Sequence, residues 1–223
     1  MRCAFSWATR PATATGCGHG NGNAGHHAGG DIACAVAAPN AVRLLLGDVM
    51  GHDDRAARTA VEVTRAFRQL AAHEEPLQVV AARLHAFVAD HADGEEFVTA
   101  QFVSLPNGDD DEAQIVCCGH PPPLLLRDGA TVIPPMPEGI LLGALGDARY
   151  GEQTLQLQSG DILLLYTDGL IERRDRDIEE SLNDLVGLVK PAVGTLEEQL
   201  EYLLLHSNAD TDDDTCLIGV RVR

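Results

Sequence analysis

A chain of 223 residues, 45% hydrophobic and 22% charged, has the make-up of a folded globular protein with room for a full core. Its 34 acidic and 16 basic residues give a formal net charge of −18, which excludes charge-driven binding to nucleic acid or to an anionic membrane. No apolar run nears the ~20 residues of a membrane span, no signal-peptide stretch follows Arg2, and six cysteines without a CxxC pair fit a reducing cytoplasm.

The first predicted strand is RCAFSWA, with Cys3, Phe5 and Trp7 on one face. The tract GCGHGNGNAGHHAGG at 16–30 is too glycine-rich for helix or strand and reads as a surface loop. Its His19, His26 and His27 are of a type that binds transition metals, although such loops commonly hold histidine without a ligand. Ile32–Ala37 and Val42–Leu46 then read as strands joined through the turn pair Pro39-Asn40. A tight turn there pairs residues whose numbers add to 79, so Asp31 faces Asp48 at the open end of the hairpin. Like charges facing across a ladder destabilise it unless something cationic lies between them.

From Asp53 the positions Ala56, Ala60, Val63, Phe67 and Leu70 step along one helix face, with Asp53 and Asp54 at the positive end. Pro76 opens a second helix carrying Leu77, Val80, Leu84 and Phe87. VTAQFVSL, QIVCCG, LLLR, TLQLQ and DILLLYT follow as short strands between turn residues. Two more helices carry Ile178, Leu182, Leu185 and Val189, stopped by Pro191, and then Leu196, Leu200 and Leu203. The second of these opens with Thr195 and Glu198 at capping-box spacing. LIGVRV is the last strand. Runs of strands between paired helices, without single-helix βαβ units, predict an α+β fold with antiparallel sheets, one domain over 1–223 with no separate sensor domain.

Acids recur at strand ends. Beyond Asp31 and Asp48, DILLLYTDGL runs into Asp168, and Asp212, Asp213 and Asp214 precede the last strand. Asp161 reads as a plain turn residue. Taken singly, each of these suits a turn or a solvated loop. Together they form a carboxylate-rich, histidine-poor set of the kind that holds Mg²⁺ or Mn²⁺. Two such ions bind a phosphoryl oxygen and acidify a water molecule.

GGD at 29–31, GDVMGH at 47–52, CGHPPPLLL at 118–126, LLLYTDGLIE at 163–172 and DDDT at 212–215 follow the order and spacing of one family. From Cys3 to Val222 the chain resembles the SpoIIE-type branch of the metal-dependent, type 2C-like (PPM) serine/threonine protein phosphatases. The resemblance implies an α-β-β-α four-layer sandwich, two antiparallel sheets flanked by helix pairs. It also implies two divalent cations, Mn²⁺ or Mg²⁺, and a catalytic set of Asp48, Asp31, Asp168 and Asp212. Asp48 would bridge both metals, Asp31 and the backbone carbonyl of Val49 would serve one, and Asp168 and Asp212 the other. An activated water would attack phosphorus with no phosphoenzyme. Asp213 would sit behind the ligands or serve a third ion, and His120 would be structural. His52 would bond a metal-held water, donate to the leaving oxygen, or merely precede the helix.

The chain departs from the family pattern where Ile32-Ala33-Cys34 replaces an aromatic-aromatic-Asp sequence after GGD, and where Gly51-His52-Asp53 replaces a GHG or GKG turn. The implied substrate is a small phosphorylated anti-anti-sigma (STAS-like) regulator in a cytoplasmic partner-switching or stress pathway. Neither nucleic acid nor membrane takes part. Control would come from a regulatory partner or a homodimer, for which the face of Phe67 and Leu70 is a candidate unless those residues simply pack on the sheet. The alternative is a catalytically idle phosphatase-like module that binds a regulator without turning it over. A Ca²⁺-binding domain is disfavoured by the lack of an EF-hand ligand run.

Overall fold

Leu44, Leu45 and Leu46 break the in-out alternation of a half-exposed strand, and each is fully buried. A strand with apolar groups on both sides must be covered on both sides. In the computed structural model, which describes residues 3–10, 18–20, 25–51, 53–91, 96–108, 111–144, 146–190, 194–207 and 213–223, that requirement is met by four layers.

The first sheet runs β10 (Gln153–Gln156), β7 (Glu112–Cys118), β6 (Val98–Pro106), β5 (Ala41–Val49), β4 (Asp31–Ala37) and β3 (Gly25–Ala28). The second runs β2 (Gly18–Gly20), β1 (Cys3–Arg10), β12 (Thr215–Val222), β11 (Ile162–Tyr166), β8 (Leu124–Arg127) and β9 (Ala130–Val132). Every strand pair is antiparallel. Leu44 and Leu46 point between the sheets, where they meet Trp7, Leu163, Leu165 and Ile218. Leu45 points the other way, into a core shared with α1 (Asp54–Ala71) and α2 (Leu77–His91). On the far side, α3 (Ile178–Leu188) and α4 (Leu196–His206) cover β11 and β12 through Leu185, Leu200 and Leu203. The expected sandwich and its antiparallel sheets are present.

Local signals set the boundaries. Asp53 caps α1, its carboxylate accepting from the amides of Arg55 and Ala56 at 3.0 Å each. Thr195 and Glu198 close a reciprocal capping box on α4. Phe67 is fully buried and lies 5.8 Å from Phe102, ring to ring, with Leu70 packed beside the same core. That face therefore packs on the sheet.

Two expectations are corrected. The tract at 16–30 is not all loop, because Gly18–Gly20 and Gly25–Ala28 are edge strands, β3 pairing with β4 from Gly25↔Cys34 to Ala28↔Asp31. A ladder needs only N–H and C=O groups, which glycine supplies, and an edge strand needs little side-chain packing. Asp161 is no plain turn residue. It is 2% exposed, accepts the amide of Gln158, and pairs with Arg127 through Nε at 3.0 Å and Nη2 at 2.6 Å.

Candidate metal centre

The β4–β5 ladder has the predicted register, Asp31↔Asp48 through Ala37↔Val42, with the amide of Ala38 bonded to the carbonyl of Ala41 across the turn. Asp31 is 2% exposed and Asp48 is half-buried. Two acids on one sheet thus sit side by side at its end.

The other sheet delivers its acids to the same place. Thr167, directly after β11, exchanges backbone and side-chain bonds with Cys216 of β12, and its hydroxyl donates to Asp31 at 3.0 Å. Asp168 opens a one-turn 3-10 helix (Asp168–Leu170), and the amide of Glu172 returns to the Asp168 carbonyl at 2.6 Å. That return places residues four apart on one side of the turn. Oxygens of Asp168, Glu172 and Asp213 consequently lie within 4.8 Å of one another.

Close backbone approach makes this convergence possible. A Cβ on Gly30 would stand 2.7 Å from the carbonyl oxygen of Val49 and 3.0 Å from Oδ1 of Asp48. Gly29, at φ +56°, lies against the carboxylate of Asp214, so a side chain there would collide with it. Gly169 packs on the Asp214 backbone, and Thr215 donates to the Gly169 carbonyl at 3.0 Å.

Burial beside like charges makes these acids hold their protons. Burial first, then Asp48, pushes Asp31 well above the usual carboxylate range, with the Thr167 hydroxyl opposing. Burial and the carboxylates of Asp168, Asp213 and Asp214 push Asp48 up to about 8, against a hydrogen bond shared with Asp31. Burial, Asp213 and Glu172 push Asp168 up to about 6, against the Gly169 amide. The donor set is oxygen throughout and lies in a backbone cradle that a single Cβ would fill. Both properties fit a hard divalent cation.

His120 lies beneath the cluster, buried. Its Nδ1 meets the Thr99 hydroxyl at 2.9 Å and its Nε2 the Tyr166 carbonyl at 3.1 Å. Burial pushes its pKa down to about 4, so the ring is neutral, with Nε2–H donating and Nδ1 accepting. Thr99 is the β6 partner of Asp48, and Tyr166 precedes Thr167. The ring therefore spans the two sheets directly behind the acids.

Of the residues singled out from sequence, Asp31 and Asp48 are brought together and Asp168 is brought to Asp213, while the Val49 carbonyl faces Gly30. Asp212 and His52 lie outside the described residues. Sequence reasoning missed Glu172, although its i, i+4 spacing from Asp168 was a usable signal. It also gave Asp214 no role beyond membership of an acidic run.

A family model for Stage II sporulation protein E (SpoIIE) matches residues 38–223. Among solved structures, the RsbU and RsbW domains of a Mycobacterium tuberculosis protein align with a TM-score of 0.78 at 24% identity, over 99% of this chain and 60% of that one. The PP2C phosphatase domain with a fragment of the regulatory domain of SpoIIE from Bacillus subtilis aligns at 0.75 and 14% identity, over 99% and 63%. The serine/threonine phosphatase of S. agalactiae aligns at 0.74 and 11% identity, over the whole of both chains. The chain thus spans less than two thirds of the first two, and at these identities the likeness is one of fold.

Proposed function

The chain belongs to the SpoIIE family, and from that membership and its carboxylate cluster we propose that it is a metal-dependent protein serine/threonine phosphatase. The observation that carries the reading is the convergence of acids from both sheets, Asp31 and Asp48 from one and Asp168, Glu172 and Asp213 from the other. Residues 1–223 act as one phosphatase domain. Asp31, Asp48 and the Val49 carbonyl would hold one divalent cation, and Asp168 with Asp212, Asp213 or Glu172 would hold a second. Bound Mn²⁺ or Mg²⁺ supplies the positive charge that receives phosphoryl oxygens and acidifies water at neutral pH.

The chain's own groups prepare that event. Asp31 and Asp48 share a hydrogen bond and must give up its proton to become ligands. The Thr167 hydroxyl holds Asp31 in place, and the neutral His120 keeps the sheets at a fixed separation without adding charge. Gly30 leaves the Val49 carbonyl uncovered. With a formal net charge of −18 the surface itself does not attract a phosphate, so the attraction would have to come from the loaded site.

The substrate in this reading is a small cytoplasmic regulator of the anti-anti-sigma (STAS-like) type, phosphorylated on serine or threonine. A regulatory partner or a second copy controls the enzyme, and nucleic acid and membranes take no part. Hydrolysis of p-nitrophenyl phosphate and of a phosphorylated STAS-like protein, with Mn²⁺, Mg²⁺ or EDTA, is the test. Turnover that needs the metal and falls in Asp48→Asn is expected. Binding of the phosphoprotein without turnover under any divalent ion replaces the enzyme by the idle binding module.

A further inference from the structure

The turn that carries Asp168 and Glu172 to the cluster has a second face. Leu170 and Ile171, both buried, together with Arg173, form one wall of a cavity of about 290 Å³ whose other walls come from α3 and the end of α4. Two hydrogen-bond donors in that lining have no acceptor among the described residues. Ser181 is 5% exposed, and its hydroxyl has no partner among them. The Nε of Arg173 is buried without a hydrogen bond, and its ion pair with Asp175 is 4.0 Å long. Asp184, also in the wall, is engaged with Arg176 at 2.7 Å. Buried donors left unpaired cost about 1–3 kcal/mol each, so an acceptor that entered this cavity would be held by them.

We propose that this cavity is a docking subsite for an acidic side chain of the phosphoprotein substrate, whose carboxylate accepts from Arg173 Nε and Ser181 Oγ. The inference rests on the phosphatase reading above. Two donors match the two oxygens of one carboxylate. The volume suits a side chain with its neighbours and is below that of pockets for larger ligands. Asp184 in the wall disfavours a dianion, so a phosphate is directed to the metal centre and a singly charged group to the cavity. Leu170, Ile171 and Leu185 receive the methylene stem. Because Arg173 follows Glu172 directly, a side chain seated there is anchored next to the metal cluster. On a surface this acidic, long-range attraction cannot select an acidic substrate, and a buried short-range contact can.

The test uses phosphoserine decapeptides of alanine and glycine in which one glutamate is walked from five residues before the phosphoserine to five after, with Mn²⁺ and the full chain. One position is expected to lower KM about tenfold relative to the peptide without glutamate, as a charge-assisted contact does. Arg173→Met and Ser181→Ala should each erase most of that preference, and a melting curve checks that each variant folds. Free butyrate, a singly charged carboxylate with the stem of a glutamate side chain, should compete only with the glutamate peptide. Hydrolysis with no glutamate preference, or a preference that survives both variants, overturns the docking subsite and leaves the phosphatase reading standing. A change by butyrate in the rate on the glutamate-free peptide overturns it in favour of a free effector. Absence of hydrolysis of every peptide and of p-nitrophenyl phosphate overturns the phosphatase reading and the subsite with it.

Discussion

Asp31 and Asp161 are equally buried, each 2% exposed and each at the start of a strand, yet their surroundings are opposite. Asp161 faces the Arg127 guanidinium and a backbone amide. Asp31 faces Asp48, Asp168 and Asp214, with one hydroxyl to help it. A buried carboxylate with its own cation is complete and holds β8 to β11. A group of buried carboxylates without one repels itself, which on the proposed reading is what a divalent cation would relieve. Burial alone does not separate structural from functional acids; the neighbouring charge does.

The contrast is broken most forcefully by removing one acid from each place. Asp48→Asn should reduce metal-dependent hydrolysis by about a thousandfold or more while the metal-free protein at neutral pH melts no lower, since Asp48 already holds its proton there and the amide replaces a neutral group. A variant that retained activity would remove Asp48 from the site.

Next in size is the pH response. Asp31, Asp48 and Asp168 all hold their protons more tightly when folded than when unfolded. Their protonated forms favour the fold, so metal-free stability should be highest near pH 4 and fall as pH rises through about 6 and about 8. The loss should be read from urea midpoints, and saturating Mn²⁺ should flatten it. Metal-free stability that climbs over this range contradicts the charge arrangement described.

Asp161→Asn should act on the other side of the comparison, lowering stability by about 2 kcal/mol because the charge-assisted hydrogen bonds from the partly exposed Arg127 are weakened. The rise in Tm on adding Mn²⁺ should survive in this variant. Smaller again is Thr167→Val, which removes the hydroxyl from Asp31 and from the Cys216 amide. About 1–2 kcal/mol of stability should go with it, together with a weaker Mn²⁺ response measured by calorimetry.

Much of this was legible in the sequence, where short-range rules apply. A two-residue turn fixes the partner of every residue in its hairpin, so Asp31 opposite Asp48 followed from Pro39-Asn40. Capping residues likewise marked the starts of α1 and α4. What was not legible depends on distant chain. That β1 pairs with β12 is set by the closing of the sandwich and not by either strand's residues. Nothing around Asp161 announces Arg127, 34 positions away. The edge strands in the glycine tract are held by their neighbours' backbone, which leaves no pattern of side chains to read. The site shows the same division: its hairpin half followed from register, whereas Asp168 and the Asp212–Asp214 run were legible only as acids at strand ends, and the structure brought Asp168 to Glu172 and Asp213.

The hydroxyl of Thr167 reaches Asp31 across 136 residues of chain, so the two halves of the acid cluster are neighbours in space and remote in sequence. A cation held by both halves would fasten the sheets as a disulfide fastens two segments, by closing a very long loop that the unfolded chain would otherwise leave open. The ion would then be a clasp as well as a reagent. Amides of β4 and β11 that exchange by local parting of the sheets in the metal-free protein would, once it is bound, exchange only when the whole molecule unfolds.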